Sequence, residues 1–256
     1  MPDTRSHRGP HPEDHRLFAP ETLGVLREAA SDLNWLLNRG YPGTAAQKLV
    51  GDRYQLAARQ RTAVARCACS DVDLNERQRR QASCDALTGQ PLLLDGYNVL
   101  TTVEAALAGG VILAARDGTL RDMASMHGSF RRVTETRPAL ELIGRTAAAL
   151  GVSCCVWYLD RPVSNSGRLK TAMAELARHH EWNWTIELVA NPDAVLIACE
   201  QTIATADSAV LDRCRAWYNL ARETIARFVP NARIVDLGVG GGQTAEGRGQ
   251  SAEGGE

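Results

Sequence analysis

Apolar and polar positions follow two different patterns along the chain, and the change falls near residue 91. Leu23, Leu26, Ala30, Leu33 and Leu37 recur at helical spacing after Pro20 and stop at Gly40, which predicts an amphipathic helix. Thr44 is placed to cap a second helix ending near Val50. A third is expected over residues 56–66, and a fourth carries Glu76-Arg77-Gln78-Arg79-Arg80. No strand-like alternation interrupts them, so residues 15–90 are expected to form a small all-helical domain. Helix-turn-helix geometry and a packing or dimerisation module share this pattern, and a homodimer fits the second.

Beyond Pro91 short apolar runs alternate with amphipathic stretches. Runs at 92–94, 111–115, 152–159, 186–190, 202–206 and 233–235 read as strands, the second of them weakened by its alanines. Helical periodicity over 138–150, 168–180 and 212–228 separates them. The alternation predicts an α/β fold over residues 91–237, a three-layer domain whose mostly parallel sheet is covered by helices on both faces. Residues 1–14 and 238–256 are polar or rich in Gly and Glu, and are expected to be disordered.

Composition narrows the class. The 256 residues are 44% hydrophobic and 23% charged, ordinary for a globular protein with a sizeable core. No apolar run approaches the ~18 residues that span a bilayer, and no apolar stretch follows the first charges. A cytoplasmic protein without a membrane partner is the expectation. Seven cysteines, with Cys154 and Cys155 adjacent in an apolar run, do not read as a disulfide framework. Cys67, Cys69 and Cys84 lack the CxxC spacing and the His partner of a zinc site. Net charge is -1, but residues 53–80 hold seven arginines against three acids. That segment reads equally as a phosphate-attracting face and as a solvated helix surface.

The chemistry is carried by acidic residues that follow the strand-like runs: Asp95, Asp160, Asp193 and Asp207. In an open α/β sheet ligands bind beyond the carboxyl ends of the strands, so these residues, remote in sequence, would converge on one edge. Carboxylates gathered in one cleft repel one another unless a cation lies between them. Hard ions such as Mg²⁺ or Mn²⁺ suit oxygen ligands and assist attack on a phosphodiester. Taken singly, each aspartate reads better as an ordinary helix cap or turn residue, and it is four together on the ligand-binding side of the sheet that shift the reading. In Asp95-Gly96-Tyr97-Asn98, Gly96 allows an immediate turn and Asn98 can set an amide beside the Asp95 carboxylate. Around the helix start after Asp160, Ser164, Ser166 and Arg168 form a candidate phosphate seat, with an ordinary capped loop as the alternative. Asp117-Gly118-Thr119 lacks the upstream carboxylate of a phospho-aspartyl enzyme, since residue 115 is alanine. Neither His127 nor the His179-His180 pair has a nucleophile partner in the pattern, which disfavours a Ser/Cys–His hydrolase.

The run LLLDGYNVL, residues 92–100, resembles the first-strand signature of NYN domains, a branch of the PIN-like nucleases. Thr205-Ala206-Asp207-Ser208 and Asp193 resemble later acidic motifs of that group, so the resemblance covers residues 91–215. It implies that Asp95, Asp160, Asp193 and Asp207 hold one or two Mg²⁺ or Mn²⁺ ions and that the substrate is a nucleic acid, RNA before DNA. The group also places an acid on a helix in mid-fold, a role for which Asp117, Asp122, Glu135 and Glu141 compete. Asn38-Arg39-Gly40-Tyr41-Pro42 and Leu49-Val50-Gly51-Asp52-Arg53-Tyr54 resemble an uncharacterised two-part family, a helical domain preceding a PIN-like half. The expected function is a metal-dependent phosphodiester hydrolase, a ribonuclease. A degenerate RNA- or nucleotide-binding domain and a structural adaptor are the alternatives.

Overall fold

The structure is a computed structural model and describes residues 8–123 and 130–238. Residues 1–7, His127 and residues 239–256 lie outside the described residues. The front segment is helical: α1 (Asp14–Leu17), α2 (Pro20–Asn38), α3 (Gly43–Arg53), α4 (Ala58–Cys67) and α5 (Asp71–Arg80). Pro20 opens α2, where its missing N–H costs nothing. The Ser70 hydroxyl caps α5 by accepting from the Asp73 N–H at 3.1 Å.

Of residues 1–14, expected to be disordered, the structure describes residues 8–14. Arg8 pairs with the fully buried Glu104, which also accepts from the Thr136 hydroxyl, and lies over the Phe130 ring. The arginine-rich run is committed to acidic partners more than to solvent. Arg59 pairs with buried Asp14, Arg61 with Asp52, Arg79 and Arg80 with Glu76, and Arg77 with both Asp117 and Asp212. Arg77 is itself buried.

The second half supplies β1 (Pro91–Asp95), α6 (Gly96–Leu107), β2 (Ile112–Ala114), β3 (Leu120–Asp122) and α7 (Thr136–Ala149). It continues with β4 (Cys154–Asp160), α8 (Ser166–His179), β5 (Trp184–Val189), α9 (Pro192–Ala198) and β6 (Thr202–Ala204). Last come α10 (Ser208–Leu211), β7 (Ala216–Tyr218), α11 (Leu220–Phe228) and β8 (Ile234–Asp236). The main sheet has the order β5-β4-β1-β6-β7 and is parallel throughout. One face buries Leu92 and Leu94 with α6, α7, α8 and α11; the other buries Leu93 and Ile203 with α9 and α10. This is a three-layer α/β arrangement preceded by helices.

Three expectations change. The runs at 111–115 and 233–235 do not join the main sheet. They form a second sheet, β3-β2-β8, in which β2 runs antiparallel to β3 and parallel to β8. The reason is two-sided burial: Ile112 and Leu120 join the main core, whereas Leu113, Ala115 and Val235 pack with Leu26, Leu33 and Val64 of the front helices. The front helices therefore share a core with this small sheet. The expected helix over 212–228 is interrupted by β7, because Trp217 is wholly buried on one sheet face and Tyr218 on the other. The Trp217 indole N–H donates to the Arg77 carbonyl at 2.7 Å, which fixes the strand against α5.

Candidate active site

The chain runs from β1 outward through β4 to β5, then returns by α9 to add β6 and β7 on the other side of β1. The order reverses beside β1, and the crevice beyond the carboxyl ends of the strands at such a reversal is where α/β sheets bind ligands. Asp95 ends β1, Asp160 ends β4, Asp207 lies just past β6, and α9 carries Asp193 back across the edge.

These carboxylates act on one another electrostatically in pairs, with Asp193 common to the interactions of Asp95, Asp160 and Asp207. Asp95 is buried, which pushes its carboxyl up to about 7; a hydrogen bond from Thr205 opposes the rise, and Asp193 and Asp207 add to it. Asp160 and Asp193 are likewise raised, first by burial. Asp193 acts on Asp160, Asp207 acts on Asp193, and Arg213 partly offsets the last.

Helix capping explains one of the four. Asp207 is the N-cap of α10, and its Oδ1 accepts from the N–H groups of Ala209 at 2.8 Å and Val210 at 3.2 Å. Asp95 occupies the N-cap position of α6 but makes no capping hydrogen bond, although the nearby Asn98 N–H slightly favours its ionised form. Its Oδ2 instead accepts from the Thr205 hydroxyl at 2.8 Å. Asp193 sits inside the first turn of α9, which Asn191 caps by accepting from Ala194 N–H at 3.1 Å.

Gly96 makes the approach possible. A Cβ there would meet the Tyr158 carbonyl at 2.8 Å and Leu159 Cδ2 at 2.5 Å, so only glycine lets α6 begin this close to β4. Asn98 acts differently from expectation. Its Oδ1 accepts from the Ala206 N–H at 2.8 Å, so it holds the loop after β6 rather than the Asp95 carboxylate directly. Thr205 is the side chain that touches Asp95, and its Oγ1 also accepts from the Asp207 N–H at 3.1 Å. Its hydroxyl in the Thr205-Ala206-Asp207-Ser208 motif was the available signal. Arg213, which faces Asp193 electrostatically, was hidden inside an expected helix.

The phosphate seat is partly dismantled. Asn165, left-handed at φ 70, is the N-cap of α8 and makes no side-chain cap. Its amide and the Ser164 carbonyl are tied to the backbone of Phe130 at 3.2 Å each. Ser166 is buried, and its hydroxyl turns to the Arg161 carbonyl at 3.4 Å; Ser164 and Arg168 are exposed. Of the four acids that competed for a mid-fold role, Asp117 is buried against Arg77 and Arg121, and Asp122 accepts from the Thr101 and Thr102 hydroxyls at 3.1 Å each. Glu141 pairs with Arg137 on the surface.

Among the described residues no three His, Cys, Asp or Glu side chains stand close enough to enclose a metal ion as they are. The donor chemistry still suits a hard cation. Mg²⁺ keeps several waters and takes only one or two protein carboxylates, and all four acids here offer oxygen.

The fold and site together define a three-layer α/β protein with aspartates at the carboxyl ends of its central parallel strands, preceded by helices. The chain belongs to the family described as "Domain of unknown function (DUF5616)", whose model matches residues 84–223, more than half of its length. Residues 25–80 match a second model, "Protein of unknown function (DUF434)". An uncharacterized protein of Methanocaldococcus jannaschii is 26% identical over 186 residues, covering 73% of this chain and 88% of the relative. No solved structure matches. Among the described residues no helix is long and apolar enough to cross a membrane.

Proposed function

We propose that this protein is a metal-dependent phosphodiester hydrolase, with RNA as the preferred substrate class and Mg²⁺ or Mn²⁺ as the ion. The observation that carries the reading is Asp95: a buried carboxylate pushed up to about 7, with Asp193 and Asp207 acting on it across the strand reversal. A divalent ion is the natural counter-charge for such a group, and it would supply charge neutralisation on the phosphate and a more acidic water. Asp95 and Asp207 would hold the ion, with Asp160 and Asp193 completing its surroundings through water. Thr205 holds one oxygen of Asp95 and two N–H groups hold one oxygen of Asp207, so the second oxygen of each would be the one to meet the ion. Ser164 and Arg168, both exposed at the start of α8, would meet a backbone phosphate beyond Asp160.

The test is cleavage of single-stranded RNA and DNA by the full chain with Mn²⁺. Loss of cleavage in Asp95→Asn and Asp207→Asn, with binding retained, supports the hydrolase. RNA binding without cleavage in the unaltered protein replaces it with a degenerate binding domain.

A further inference from the structure

Arg121 is a buried cation that lies outside the carboxylate cluster, yet it reaches the loop on which that cluster depends. It sits in β3 and is 4% exposed. Its Nε donates to the Ala206 carbonyl at 2.8 Å, its Nη2 to Asp117 Oδ2 at 2.6 Å, and its Nη1 to the Arg66 carbonyl at the end of α4. Asp117 is itself fixed. Oδ2 also takes the Arg77 guanidinium at 2.5 Å, and Oδ1 accepts from the Thr119 hydroxyl at 2.6 Å and N–H at 3.1 Å. Burial alone would raise Asp117, but Arg121, the Thr119 hydroxyl and Arg77 together hold its carboxyl below the usual range.

On the far side of the same peptide unit the site begins. β6 ends at Ala204, so ladder hydrogen bonds give the next residues no support. The Thr205-Ala206-Asp207 segment is held instead by the Ala206 N–H on Asn98 and the Ala206 carbonyl on Arg121. Thr205 then reaches Asp95, and Asp207 N–H closes on Thr205. We infer that Arg121 is a positioning residue: its guanidinium ties the Ala206 carbonyl to the front helices and so fixes Thr205 and Asp207 against Asp95. Only a planar fork with divergent donors can reach Ala206, Asp117 and Arg66 at once; a lysine ammonium can keep the ion pair but cannot span all three. The front helices are then part of the frame of the site. The catalytic weight of this tie rests on the hydrolase reading, while its geometry does not.

Amide hydrogen exchange by NMR tests it on the full chain. In Arg121→Met the Ala206 and Asp207 N–H groups should exchange at least about tenfold faster, while those of β1 and β4 keep their rates. Arg121→Lys should give a smaller loosening at the same two amides, and it carries the test if the Met variant does not fold. Arg77→Met, which removes the other guanidinium from Asp117 without touching Ala206, should leave both amides protected. Unchanged protection in the Arg121 variants, or an equal rise across β1, β4 and the loop, overturns the inference. Where the unaltered protein cleaves RNA, Arg121→Lys should lower kcat and leave KM nearly unchanged. Where it does not cleave, the hydrolase reading fails and the exchange result still decides this one.

Discussion

Removing one charge at Asp95 should make the protein more stable. Asp95 rises from an ordinary 3.8 to about 7, because burial and the carboxylates of Asp193 and Asp207 penalise its ionised form. The folded chain therefore keeps a proton that the unfolded chain has already released. Its stabilising effect is complete below about pH 4 and is lost as pH rises through about 7. At about 1.4 kcal/mol for each tenfold change in proton affinity, ionising Asp95 at pH 8.5 costs the fold about 4 kcal/mol. Asn at this position mimics the protonated acid and can still accept the Thr205 hydroxyl. With part of the gain lost to imperfect accommodation of the amide, Asp95→Asn should add about 2 to 4 kcal/mol at pH 8.5. For a chain of this size that is a Tm higher by about 4–16 °C.

The assay is thermal unfolding followed by circular dichroism, in chelator, at pH 4.5 and pH 8.5. The variant and the unaltered protein should melt together at the lower pH and separate at the higher. Adding Mn²⁺ at pH 8.5 should raise the Tm of the unaltered protein and leave the variant where it was, so that the gap narrows. An equal difference at both pH values, or a variant less stable than the parent at pH 8.5, would refute the assignment of a buried, proton-holding carboxylate.

Other outcomes follow from the same geometry. Apparent Mn²⁺ affinity, measured by calorimetry, should climb steeply with pH below about 7 and level off above it, since the ion competes with the proton on Asp95. Gly96→Ala should cost about 1–3 kcal/mol in chemical denaturation, because the new Cβ meets the Tyr158 carbonyl at 2.8 Å. Asp207→Ala should lose about 1 kcal/mol with its cap and Asp207→Ser should lose little, while both lose Mn²⁺ binding; denaturation and calorimetry separate the two effects. Arg77→Met should destabilise by about 3 kcal/mol, as Asp212 and half the clamp on Asp117 lose their partner.

The layered architecture was readable in the sequence because β1 and β4 are unbroken apolar runs, as strands covered on both faces must be. The placement of β2 and β8 was not. Their residues are as apolar as those of the main sheet, and only the front helices, distant in sequence, decide which core they join. β7 escaped because three residues carry too little periodicity, and Trp217 shows its role only once Arg77 is beside it. At the site, strand-end aspartates were readable from position alone. The contacts that orient them were not: the Asn98 amide could equally have reached Asp95, and it is the register of β1 with β6 that sets it against Ala206. Ser166 had the right residue type for a cap or a phosphate, but a left-handed Asn165 takes the cap position and turns Ser166 inward.

The contrast between Asp207 and Asp95 shows where stability and chemistry part. Asp207 satisfies a local rule: it stands before a helical turn and its carboxylate caps it. Asp95 stands at the same kind of position and breaks the rule, making no cap and lying 8% exposed. The groups that act on it most strongly are a hydroxyl, two further carboxylates and a backbone N–H. Elsewhere this fold neutralises its buried acids: Glu104 has Arg8, Asp14 has Arg59, and Asp117 has Arg77 and Arg121. An asparagine or serine at position 95 would relieve the strain at once. Asp95 differs from those three acids in having no cation among the groups named beside it, and such a break in local consistency is what a functional position would show. On the hydrolase reading proposed above, the counter-charge is a divalent ion that accepts oxygen ligands, and below about pH 7 a proton takes its place.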